Sequence, residues 1–231
     1  MMVERSDLSW ALSRSAHLAS ALLLCYGLLW IWLAIAPVNR RDWFLENLLA
    51  FALVVLLVLT YRRFQLSNLS YCLITCFMAL HAVGAHYTYA EVPVGFWLKD
   101  MFSLSRNPFD RIVHFAYGAL LAYPLREALI RLVGVRGLWL SYYLPASLIL
   151  AQSGLFEIIE SVVAAFASPE LGGAYLGMQG DVWDAQKDMA AAFGGAALAM
   201  IVTLTTSRGF KKTAHRAHRM RCAIPGRWSR S

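Results

Sequence analysis

Charge is scarce in this 231-residue sequence: only 15% of its residues are Asp, Glu, Lys or Arg, against about 25% in soluble domains. That shortage excludes an ordinary hydrated globular surface. Cysteine is also sparse, and Cys25, Cys72, Cys76 and Cys222 fall in apolar runs or in the basic C-terminal stretch, so no disulfide framework is implied. Cys72 and Cys76 share a helical face among Leu, Ile and Phe without a neighbouring histidine, and they read as packing residues. Internal repeats, low-complexity tracts and linkers long enough for a second domain are missing. So are a phosphate loop, an H-E-x-x-H motif and a Ser–His–Asp spacing.

What remains is overwhelmingly apolar: 59% hydrophobic residues, 8 Trp and a mean hydropathy of +0.52. Crossing the hydrocarbon layer takes about 20 mostly apolar helical residues, because a helix satisfies its own backbone hydrogen bonds there. Continuous runs instead of alternating strands exclude a barrel. Six runs predict spans at Ala16–Ala36, Phe44–Tyr61, Leu69–Gly84, Ile112–Leu132, Leu138–Ala167 and Asp184–Thr206. The first is too long for the roughly 7–15-residue core of an export signal and reads as a retained anchor. Pro145 in the long fifth run predicts a kink or tilt. The fold class is therefore all-α, a polytopic transmembrane bundle of about six spans at 16–206, flanked by an N-terminal segment 1–15 and a basic tail 207–231.

Six spans put both termini on one side. That side holds fifteen of the 21 Lys and Arg residues, most of them in the tail "SRGFKKTAHRAHRMRCAIPGRWSRS". The positive-inside rule then places both termini in the cytoplasm. The net charge of +7 describes mainly this tail, which fixes topology or meets anionic headgroups; without a folded module it does not suggest nucleic-acid binding.

With that orientation, the ionisable residues collect at one level. Spans three and five run outward, carrying His86 and the Glu157/Glu160 pair to the outer interface at about 1.5 Å per residue. Spans four and six run inward and begin with Asp110 and His114, and with Asp181, Asp184 and Asp188. At about 100° per residue, Asp110, His114 and Tyr117 share a face, as do Glu157 and Glu160, and Asp184 and Asp188. His81 and His86 are about 140° apart on a regular helix, and of the two His86 is nearer the interface.

Some of these acids have plain structural roles. Asn107-Pro108 reads as a helix cap followed by a first-turn proline, which makes Asp110 a favourable dipole partner, and Asp181 with Asp184 resembles a capping arrangement. Lys187 and Arg111 supply ordinary ion pairs. Asp188 lies a turn too deep for capping, and Glu157 and Glu160 lie near a helix C-terminus, where the dipole disfavours an acid. Acids gathered without cations repel one another. A divalent metal resolves this: carboxylates with one histidine suit Mg²⁺ or Mn²⁺, and also Zn²⁺ with an open position. The expected polar core, in catalytic or metal-binding roles, is Asp110, His114, Glu157, Asp184 and Asp188, with His86, Glu160 and Asp181 as second choices. The connection "AHYTYAEVPVGFWLKDMFSLSRNPFD" is aromatic enough to lie against headgroups, as a lid or an anchor.

The segments "HAVGAHYTYAEVPVG", "RNPFDRIVHFAYGALLAYPLRE", "FEIIE" and "MQGDVWDAQKDM" resemble the YjdF-like family of bacterial inner-membrane proteins, over roughly residues 40–205. More remotely, Asp110-Arg111-Ile112-Val113-His114-Phe115 and Asp184 ahead of a glycine-containing helix are similar to the VanZ-like family, associated with teicoplanin resistance. That family usually has Asn four residues after its late Asp, where this chain has Asp188. The resemblance implies a bacterial inner membrane and supplies no substrate. Two function classes are carried forward: metal-assisted action on, or binding of, a lipid-linked or envelope substrate; or a non-enzymatic structural or transport-related protein whose acids form a polar network or a proton or cation path.

Overall fold

A computed structural model of the chain describes residues 3–166 and 179–222, with side chains within 17–166 and 179–207. Its regular elements are all helices, with no strand among these residues. The helices are α1 (Val3–Leu33), α2 (Arg40–Thr60), α3 (Asn68–His86), α4 (Pro93–Met101), α5 (Phe109–Ala128), α6 (Leu138–Phe166) and α7 (Asp184–Cys222). A π-helical turn at Leu129–Val133 extends α5 and stops at Gly134.

By length and composition, α2, α3, α6 and the Asp184–Ser207 part of α7 can each cross a membrane, and α1 adds a shorter apolar stretch at His17–Leu33. The remaining predicted span, α5, carries Asp110, Arg111, His114, Arg126 and Glu127. It is buffered by protein, packing against α3, α6 and α7. A polar helix in lipid is tolerated when its charges face the bundle interior, and α5 is that helix here.

Several helix ends differ from expectation. Helix α1 starts at Val3 instead of Ala16, and α7 continues past Thr206 to Cys222. Helix α5 starts at Phe109, so Pro108 occupies the cap position and not the first helical one. Asn107 still serves the helix end, its Oδ1 accepting the Phe109 N–H at 3.0 Å, while its Nδ2 donates to Ala90 O and Val92 O. Helix α6 passes unbroken through Pro145, which is fully buried. It also extends to Phe166, leaving Glu157 and Glu160 more than a turn inside it, where the end dipole has faded. The predicted end of that span at Ala167 lies outside the described residues.

The α5–α7 contact positions the rest. Ala122, Ala192 and Ala196 are completely buried between the two helices. A Cβ on Gly118 would overlap the carbonyl oxygen of Ala192, and one on Gly195 would overlap that of Phe115. Small residues allow such backbone approach, the usual means of helix association in lipid, where no hydrophobic force separates helix from solvent. Running in the same direction, the two helices bring their acidic first turns side by side. The expected interfacial connection contains α4, which exposes Val94, Trp97 and Met101 beside the exposed Phe102, while Val92 packs against Phe109 and Val113.

Candidate metal and ligand site

At the acidic end of the bundle, α5 and α7 are joined by an ion-pair layer. Arg106, just ahead of α5, donates from its guanidinium to Asp184 Oδ1 and lies 3.5 Å from Asp110 Oδ2. Arg111 reaches Asp181 Oδ2 at 3.0 Å and Asp184 Oδ1 at 2.8 Å. Lys187 Nζ completes the layer on Asp181 Oδ2 at 2.7 Å. Asp181 Oδ1 also accepts the Trp183 N–H at 3.1 Å, so it closes an Asx turn ahead of α7. The Lys187 and Arg111 hydrogen bonds, in that order, hold the Asp181 carboxyl well below the usual carboxylate range. The layer leaves Asp184 paired with two arginines.

One turn deeper no lysine or arginine donates a hydrogen bond to Asp188 Oδ1 or Glu157 Oε1. His114 Nε2 lies 3.6 Å from both Asp110 Oδ1 and Glu157 Oε1. Ligand atoms of Asp110, His114 and Asp188 all lie within 4.8 Å of one another. Asp188 is 2% exposed, and its Oδ1, like Glu157 Oε1, is buried without a hydrogen-bond partner. The nearest cationic atom to Asp188 Oδ1 is Arg111 Nε at 3.5 Å, too far for a good hydrogen bond. Buried polar atoms are nearly always satisfied, and unpaired buried carboxylate oxygens are costly. An oxygen-rich set with one imidazole fits a hard or borderline divalent ion.

Asp110 and His114 also form part of the wall of a cavity of about 430 Å³ between α2, α3, α5 and α6. Its other polar groups include Asp42 and Glu46 on α2, His81 on α3, Tyr89, and Ser153 and Glu160 on α6. His81 Nε2 faces the Glu46 carbonyl oxygen at 3.1 Å, so it carries the proton; in the neutral ring Nδ1 then accepts from the Tyr89 hydroxyl at 2.6 Å.

The structure thus brings Asp110, His114, Glu157, Asp184 and Asp188 to one region, with Asp181 in the ion-pair layer and Glu160 on the cavity wall. His86 is not with them: its Nδ1 meets Leu33 O at 2.7 Å, and His81 is the histidine that lines the cavity. Sequence reasoning missed Asp42, Glu46 and Arg106. The two acids were visible as a pair one turn apart in "RRDWFLENLL", and an ionisable residue inside an apolar run is itself a functional signal. At the opposite end, Glu127 accepts from Ser67 N, Ser67 Oγ and Ser70 Oγ and so ties α5 to the first turn of α3, away from the cluster.

These features define a polytopic helical membrane protein with a buried carboxylate–histidine cluster beside an internal cavity. The chain belongs to the family described as "Predicted membrane protein (DUF2238)", which matches residues 18–209. It is 40% identical over 178 residues to "Inner membrane protein YjdF" of Escherichia coli (strain K12), covering 77% of this chain and 85% of that protein. Neither match extends to the VanZ-like family, and no solved structure matches.

Proposed function

We propose that this chain is an inner-membrane protein, like its relative by name, whose acidic end faces outward and holds a divalent cation beside a cavity for a lipid-linked or envelope substrate. The observation that carries this reading is the Asp110–His114–Asp188 cluster, with its ligand atoms within 4.8 Å and an unpartnered oxygen on Asp188. Glu157, whose Oε1 lies 3.6 Å from His114 Nε2, is the candidate for a fourth ligand. When bound, such an ion polarises a phosphoryl or carbonyl oxygen or lowers the pKa of a bound water. The protein's own contribution is to hold the ligands through the α5–α7 contact and to keep Asp184 neutralised by Arg106 and Arg111.

Bound metal stabilises by mass action, by about 2.7 kcal/mol when free ion stands at a hundred times Kd. In detergent, wild-type protein is therefore expected to unfold at lower temperature after chelation. Asp188→Asn and His114→Ala are expected to start lower in the presence of metal and to ignore the chelator. Unchanged unfolding of the wild type on chelation would remove the cation from the account.

The orientation rests on the fifteen-to-six division of Lys and Arg. A reporter fused after Ser231 should read cytoplasmic, and a signal from the far side would invert the picture. The second reading, a non-enzymatic polar network, is favoured by the ion-pair layer of Arg106, Arg111 and Lys187. It expects no chelator response in any variant.

A further inference from the structure

The 430 Å³ cavity has two unlike ends. At one, Asp42 and Glu46 are 2% and 4% exposed, and Asp42 Oδ1 and Glu46 Oε2 have no hydrogen-bond partner; buried Glu160 belongs to the same wall. No lysine or arginine is among the described residues lining the cavity. At the other end the wall is Leu53, Phe77, Met78 and Leu121. Leu53 follows Asp42, and Leu121 follows Asp110, by three helical turns, about 16 Å at 1.5 Å per residue. That is roughly half the ~30 Å hydrocarbon thickness, so the cavity spans from the headgroup level to near the bilayer centre. Its volume is that of a small-molecule site.

Among the described residues, one side of the cavity is left uncovered. Helices α2 and α6 both line it but do not pack against each other as α2 does on α3 and α6 on α7. Along this gap Leu49, Leu155 and Ile159 line the cavity and are also 53%, 57% and 39% exposed. A molecule can thus enter sideways from a leaflet with its chain already in hydrocarbon.

We infer that the cavity binds an amphiphile whose head carries a positively charged amine, placed among Asp42, Glu46 and Glu160, and whose apolar chain lies along Leu53, Phe77 and Leu121. A cation there meets Asp42 and Glu46 oxygens that otherwise lack partners, with the ring of Tyr89 on the same cavity wall to add cation–π attraction. An anionic head meets these acids with no lysine or arginine on the described wall to offset them, and Arg106 and Arg111 are engaged by Asp110, Asp181 and Asp184. This rests on the proposed function for the lipid-like nature of the substrate and not for the metal.

The test measures thermal unfolding of the full chain in a neutral detergent with added dodecylamine, dodecyl phosphate or dodecanol, each with and without chelator. The amine is expected to raise the wild-type midpoint in a concentration-dependent way that the phosphate and alcohol do not reproduce. Glu46→Gln and Glu160→Gln should weaken the apparent affinity for the amine at least tenfold. Leu53→Trp, which fills the apolar end and leaves every acid in place, should do the same. Equal stabilisation by phosphate, or wild-type amine affinity in all three variants, would overturn the inference. Chelation separates the two proposals: an amine shift that persists without any chelator effect sinks the metal alone, and a chelator effect without amine preference sinks the amphiphile alone.

Discussion

Arg106→Gln is expected to destabilise the protein by about 3–5 kcal/mol, the cost of removing one partner from a buried ion pair. Arg106 is 8% and Asp184 5% exposed, and the same guanidinium lies 3.5 Å from Asp110. Its loss leaves buried Asp184 with Arg111 as its remaining cation and takes from half-buried Asp110 the guanidinium paired with it. Removing the stranded charge as well should recover much of the stability, so the Arg106→Gln/Asp184→Asn double variant is expected to be more stable than Arg106→Gln alone. Thermal unfolding of the three proteins in one detergent checks this. A single variant within about 1 kcal/mol of wild type, the range of a surface pair, would mean that the layer is solvated and that the acidic end is less enclosed than described.

The second large effect comes from the α5–α7 contact. Replacing a helical glycine with alanine ordinarily stabilises by about 1 kcal/mol through helix propensity. At Gly118 and Gly195 the added methyl would overlap a facing carbonyl oxygen, so the sign should reverse, with a loss of about 1–3 kcal/mol for alanine and more for valine. Gly194, next to Gly195 but with nothing within 4 Å of its added Cβ, is the internal control and should gain or stay level on substitution. The separation forced by Gly118→Val should also draw Asp188 away from His114 and weaken metal retention. Stabilisation by alanine at all three positions would show that the helices are not in backbone contact.

Much of this arrangement is legible in the sequence because helical periodicity constrains it. The apolar runs marked the membrane helices, and phase placed Asp110 with His114 and Asp184 with Asp188 on shared faces, where the structure has them. Periodicity has less to say outside helices, which is why Arg106, in the loop before α5, gave no sign of its burial. Asp42 falls outside the second predicted span, which starts at Phe44, four residues inside the helix start at Arg40. His86 was preferred over His81 on depth alone. The face decides instead, since His81 stacks on Phe77 one turn earlier and accepts from Tyr89, while His86 turns toward the end of α1. The glycine contacts depend on which helices are neighbours, and composition alone does not specify that.

The cation at Asp110, His114 and Asp188 is tested most directly by metal content. Protein purified in detergent is equilibrated separately with Mg²⁺, Mn²⁺ and Zn²⁺, passed through a desalting column and assayed for bound metal per chain. The account predicts about one equivalent of one of these ions on the wild type, and far less on Asp188→Asn and His114→Ala at unchanged fold. Wild type that retains none of the three ions, or variants that retain as much as wild type, would contradict it.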